Sequence, residues 1–415
     1  MTRQLLILFI ALVFTHSAAV AQWVKTSYPE ERVPIFSATI GKYLYVGSDG
    51  IKGFYRSEDN GNTWQALYAS ETDQHPVLLP KNGHIMGIGA TSDGVLIVGV
   101  FDPFPDSTFG GIYVSFDTGR VWVQRENYNV DIFFDAKKYI IGSSGNGFIH
   151  STDSGWTWQL ATNNLSGIVT KIVSKGTVLY ASTYLGEGVA RSIDSGETWQ
   201  HIKSNLSGLP IYDIIALDTE LYTAGEDVYR SRDNGLHWVY LNLPYNQYHT
   251  IATSGTTIFE AGLSTIGSLI VYSTDHGDSW KNCTSNLPGL QVHHVFVKDN
   301  YLFAGTDSGL WRRPLSELNV VPEIQYKSPN SMLILVPNPT SGSTSIQFHL
   351  DGSERVTITV MNLLGYEVAR VIDNGYFISG EHELTFKPNT LSTGEYIVRM
   401  QTSSGAQSQR LEIIR

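Results

Sequence analysis

The chain has a single cysteine, Cys283, in 415 residues. One thiol cannot form an intramolecular disulfide or a cysteine metal site, so Cys283 reads as a small buried apolar side chain. Charge is also scarce: 16% of residues are charged and the formal net charge is −11. No Lys/Arg cluster supplies the basic face that displaces counterions from nucleic acid or an anionic membrane, so neither is expected as a partner. Beyond residue 21 no apolar run reaches the roughly 20 residues that cross a bilayer as a helix. No cofactor and no metal is expected.

Glycine (39 residues) and aromatic side chains (12%) are plentiful, as in a globular β protein able to bury a large core. The length allows two or three domains. Residues 1–21 read as an export signal: Arg3, the apolar run Leu5 to Phe14, then Ala19-Val20-Ala21 with the small-x-small pattern of a cleavage site. The alternative, a single-pass anchor, is poorly served by so short a run.

One octapeptide occurs six times. Its frame, Ser-x-Asp-x-Gly-x-x-Trp, is carried by Ser57, Asp59, Gly61 and Trp64, and recurs with Asp117 and Trp122, Asp153 and Trp158, Asp194 and Trp199, Asp233 and Trp238, and Asp275 and Trp280. The chemistry is that of a turn. Ser and Asp accept bonds from nearby amides, Gly takes a positive φ, and Trp packs beside the bend. Short β-rich segments flank each copy, such as Tyr43 to Val46 and Gly53 to Arg56. The tryptophans recur at about 40 residues, the length of a four-stranded antiparallel meander. The interval from Trp64 to Trp122 is longer and marks an insertion. A last unit, beginning near Val292, lacks a fourth strand, and Trp23 to Thr26 is the candidate to complete it and close the ring. The expected fold is all-β, a seven-bladed β-propeller over 22–317; a degenerate copy would make it six or eight.

These units resemble the Asp-box repeats of sialidases, sortilin-type receptors, xyloglucanases and photosystem II assembly factors. The resemblance implies the fold over about 300 residues and leaves activity open, because this fold hosts enzymes and binding modules alike. In such a meander the octapeptides join the third and fourth strands, so they share one face and a ligand is expected on the other. Arg56, Arg191 and Arg230 each precede an octapeptide Ser, Arg312 holds the same repeat position in the last unit, and all four read as scaffold, leaving Arg32 and Arg125 on ligand-side connections. The three arginines of a sialidase therefore cannot be assembled. A hydrolase using two carboxylates would draw on Glu71, Asp102, Asp106 and Glu187.

The insertions, 69–84 and 101–110, open on the ligand side. The second brings Phe101, Asp102, Phe104, Asp106 and Phe109, and aromatics on long loops favour a glycan or protein ligand over simple coverage of a blade edge. Tyr184 and Tyr248 lie on the same face. These residues and Arg32 form the candidate binding set, with no catalytic residue assigned.

Residues 318–331 read as a linker, and 332–415 as six short alternating strands of an immunoglobulin-like β-sandwich with turns at Gly352, Gly365, Gly380 and Gly394. This segment closely resembles the C-terminal sorting domain of the bacterial type IX secretion system. Pro337-Asn338-Pro339, the run Val360 to Gly365, Ser379-Gly380 and Leu391 to Tyr396, including Gly394, carry the likeness. It implies an outer-membrane translocon as partner and a destination in the medium or on the cell surface. A plain immunoglobulin-like accessory module is the competing reading.

Overall fold

The computed structural model describes residues 22–414 except 30–32, 49–52, 68–78, 80–82, 92–93, 102–109, 129, 137–139, 145–146, 161–164, 166–167, 185–187, 242, 244–246, 265–266, 289–290, 319–332, 351, 364 and 403–405. Among them the fold is all-β, with one 3-10 turn at Leu315–Leu318. No helix of the described residues is long and apolar enough to cross a membrane.

Seven sheets of four antiparallel strands follow one another along the chain. Their first strands are Pro34–Ile40, His84–Ala90, Ile132–Asp135, Ile168–Lys175, Ile211–Leu217, Gln247–Ser254 and Val292–Lys298, numbered here as sheets 1 to 7. Each first strand touches the next, and that of sheet 7 touches that of sheet 1. The result is a closed ring. Sheet 7 takes its fourth strand, Val24–Lys25, from the other end of the chain, with Val24 opposite Arg312 and Lys25 opposite Trp311. The apolar clusters bridge neighbouring sheets: Phe259 and Ile270 of sheet 6 pack with Val295 and Leu302 of sheet 7 and with Trp23. A single sheet cannot bury both of its faces, so stacking in a ring supplies the core.

The six octapeptides join third to fourth strands. In each, the Ser hydroxyl donates to the Asp Oδ1 at 2.7–2.9 Å and accepts from the Gly N–H at 2.7–2.9 Å. The same Asp Oδ1 accepts from the N–H four residues on at 2.8–2.9 Å. Gly is required because it and the residue before it both hold positive φ, as at Asn60 (55°) and Gly61 (86°). Five of the tryptophans donate Nε1–H to the Gly carbonyl at 2.9–3.1 Å. Trp64 departs from this: its Nε1 is buried without a hydrogen-bond partner among the described residues, and its ring packs edge-on against Tyr28 at 5.1 Å.

Arg56 and Arg230, each one residue before an octapeptide, and Arg312, at the same position in sheet 7, brace one sheet to the next. Arg56 donates to Thr118 O at 2.7 Å, Arg230 to His276 O at 2.6 Å, and Arg312 to Asn60 O. Each acceptor is the positive-φ residue of the following turn.

The turns also carry a pH dependence. The His237 amide holds Asp233 at about 2, and the Ser279 hydroxyl holds Asp275 at about 2, both below the ordinary 3.8. A depressed carboxylate contributes stability that is complete above its unfolded value and is lost as pH falls through the folded one. The urea midpoint is therefore expected to fall from about pH 4 towards pH 2. Asp275→Asn should lower stability at neutral pH and flatten part of that acid limb. An acid limb identical to that of the parent chain would contradict this assignment.

Residues 333–414 form two packed sheets. One has three strands, Ile334–Val336, Thr344–Leu350 and Gly380–Phe386; the other has four, Glu354–Asn362, Glu367–Phe377, Gly394–Gln401 and Ala406–Ile413. Ile346, Phe348, Val356, Ile358, Val398 and Leu411 fill the space between them. Two expectations need correction. Gly380 and Gly394 open strands rather than occupying turns, and Ile334–Val336 is an additional strand. Three residues are too few for alternation to be visible.

Candidate ligand cavity

The first strands face the centre of the ring, and six of the seven break register near their starts, between Pro34 and Phe36, Ile85 and Gly87, Val169 and Lys171, Ile211 and Asp213, Tyr248 and Thr250, and Val292 and His294. A β-bulge inserts one extra residue and re-aims side chains. Because each first strand starts at the face opposite the octapeptides, the bulges ring that mouth.

They open on a cavity of about 520 Å³. Sheets 1 to 3 give it an apolar wall that includes Ile35, Phe36, Ile88, Ile132, Phe133 and Phe134, broken by Ser37 and Asp131. Sheets 4 to 7 add Thr170, Lys171, Tyr212, Asp213, Thr250, His293 and His294. Lys171 Nζ lies 3.0 Å from Asp213 Oδ1. Asp213 Oδ1 also accepts from the Ile214 N–H at 2.8 Å, and Oδ2 from the Ile251 N–H at 3.1 Å, so both carboxylate oxygens are engaged. His294 Nε2 pairs with Ser37 Oγ at 2.9 Å. Burial, and then Lys171, push its imidazole down to about 3, leaving it neutral at pH 7. Burial raises Asp131 above the usual carboxylate range.

Of the residues singled out in the sequence, Tyr184 stacks on Tyr212 with centroids 5.6 Å apart and so flanks the cavity wall. Phe101 ends the second strand of sheet 2, is 38% exposed, and meets the His84 ring edge-on at 6.3 Å. Tyr248 lies in a first strand, opposite Gly262, one position before its bulge; its side chain is outside the described residues. Arg32, Glu71, Asp102, Phe104, Asp106, Phe109 and Glu187 also lie outside them. Arg125 is not on the ligand side. Its guanidinium sits 3.6 Å from the Trp156 ring centroid, beside an octapeptide.

The cavity residues themselves were missed. Their sequence signal is a polar pair at one repeat position, Thr170-Lys171, Tyr212-Asp213, His249-Thr250 and His293-His294, where alternation predicts one inward residue. Among the described residues no group of three or more His, Cys, Asp or Glu side chains is placed to hold a metal.

Residues 335–414 match the family of secretion system C-terminal sorting domains. This C-terminal type IX sorting domain indicates that the protein is secreted or displayed at the outer surface of a bacterium. No curated protein matches it. Solved structures similar in fold include YCF48 bound to D1 peptide, at 13% identity and TM-score 0.55, covering 71% of this chain and 96% of that one. The extracellular domain of a putative one-component system from B. thetaiotaomicron gives 13% identity and 0.55, covering 95% and 59%. A GH74 xyloglucanase from Xanthomonas campestris gives 12% identity and 0.54, covering 79% and 59%. At these identities the likeness concerns the β-propeller fold.

Proposed function

We propose that the chain is an exported, non-catalytic, seven-bladed Asp-box β-propeller over 22–317 that binds a glycan or protein at the cavity mouth opposite the octapeptides. A linker, 318–331, joins it to an immunoglobulin-like sandwich, 332–415, which the type IX translocon engages. The bulged first strands carry this reading: they gather polar side chains from four sheets opposite an apolar wall, the pairing of few directional groups with apolar surface that binding sites use. Phe101 and Tyr184 extend the same rim.

A two-carboxylate hydrolase is the second reading, favoured by the presence of both Asp131, raised by burial, and Asp213 in the cavity wall. Against it, Asp213 has its oxygens committed to Lys171, Ile214 and Ile251. A glycan and peptide array run beside a polysaccharide-cleavage screen separates the two. Retention of a ligand without cleavage is expected; cleavage that disappears in Asp131→Asn would establish the hydrolase instead.

A further inference from the structure

We infer that the third octapeptide is the docking seat of the C-terminal domain, with Trp156 as its anchor. The residue after the octapeptide Gly is Asn62, Arg120, Glu197, Leu236 or Asp278 in the other five copies, and Trp156 only here. Leu236 and Glu197 are exposed at this place, whereas Trp156 is half-buried. Arg125 covers its ring at 3.6 Å, Phe116 lies 6.1 Å away, and Tyr366 of the C-terminal domain meets it edge-on at 5.3 Å.

The C-terminal domain is shaped for this contact. In its four-stranded sheet Val360 and Val398 point inward, so by strand alternation Met361 and Ile397 belong to the outer face. They sit directly opposite each other and are 8% and 2% exposed, because the propeller face covers them. Gly365, at φ +81°, approaches so closely that a Cβ would fall 1.9 Å from Trp156. Arg399, also on the outer face, donates to Ser154 of the same octapeptide. Apolar burial on an otherwise solvent-facing sheet surface, a required glycine and a half-buried tryptophan at a turn position exposed in the other copies mark a fitted interface.

Two consequences follow for the molecule. The sorting domain lies over the octapeptide face beside sheets 2 and 3, on the side away from the bulged mouth. Met361 and Gly365 are buried while docked, so a protein that grips them must first lift the domain from Trp156.

The full chain carrying Ser154→Cys and Arg399→Cys, with a protease site placed within 319–332, tests the seat using a short bis-maleimide. Cys283 is 1% exposed and stays silent. Crosslinking that holds the two cleaved pieces together should be fast, and about tenfold or more slower with Trp156→Glu, the loss of one anchor. Ile397→Lys, on the other side of the contact, should act alike and guards against local misfolding of the turn. The inference is overturned if the pair reacts no faster than Leu236→Cys with Arg399→Cys, or if neither substitution slows it.

Discussion

Trp23→Ala is expected to destabilise the ring by about 3–5 kcal/mol, the range for deleting a buried tryptophan. The strand that closes the ring has only two ladder residues, Val24 and Lys25, and both are exposed. Its hold therefore rests on what lies beside it. Trp23 is 2% exposed among Phe259, Ile270 and Val295, and its Nε1 donates to Cys283 O at 2.8 Å. That carbonyl also accepts from Arg313 at 2.8 Å, so the substitution orphans no acceptor and the loss is one of packing. Urea unfolding measures it. A loss below about 1 kcal/mol would mean that the closing strand is dispensable.

Glu260→Leu is expected to act in the opposite direction, stabilising the protein by about 1–3 kcal/mol at neutral pH through removal of an unpaired buried carboxyl. Glu260 is 0% exposed and neither of its oxygens has a partner among the described residues. At the same repeat position the other second strands place Val46, Val98, Gly142, Ala181, Thr223 and Ala304. Burial, and then Asp213, raise its carboxyl well above the ordinary 4.5. An acid raised on folding keeps its proton longer in the folded state, so stability declines as pH rises from about 4.5 through the folded value. The advantage of Glu260→Leu should therefore grow as pH rises above about 4.5, as read from thermal midpoints. An advantage independent of pH would show that Glu260 does not titrate in this window.

The octapeptides made the scaffold readable because their chemistry is local: Ser, Asp, Gly and Trp satisfy one another within eight residues, and no tertiary context is needed to recognise them. The arginines before them were readable for the same reason, since repetition at one position marks a shared structural task. The cavity was not readable. Lys171, Asp213 and His294 are brought together from sheets 4, 5 and 7, and a bulge shifts each out of the period-2 pattern by which inward residues are recognised. The sequence instead drew attention to the long connections, where Phe101 is half-exposed at a strand end. Likewise Met361 and Ile397 read as ordinary alternating strand residues. Only the seating of one domain on another reveals why their outer face is apolar.

The location of the ligand site is tested most directly by titrating the array ligand against the parent chain, Lys171→Met and Asp278→Asn. Lys171 lies in the cavity wall, whereas Asp278 lies in an octapeptide on the other face, where its carboxylate meets Arg230 at 2.8 Å. Removing a directional group from a binding cavity should weaken affinity about tenfold or more, some 1.4 kcal/mol, in Lys171→Met and leave Asp278→Asn at the parent value. Unchanged affinity in Lys171→Met, with loss in Asp278→Asn, would place the ligand on the octapeptide face and contradict a site at the bulged mouth.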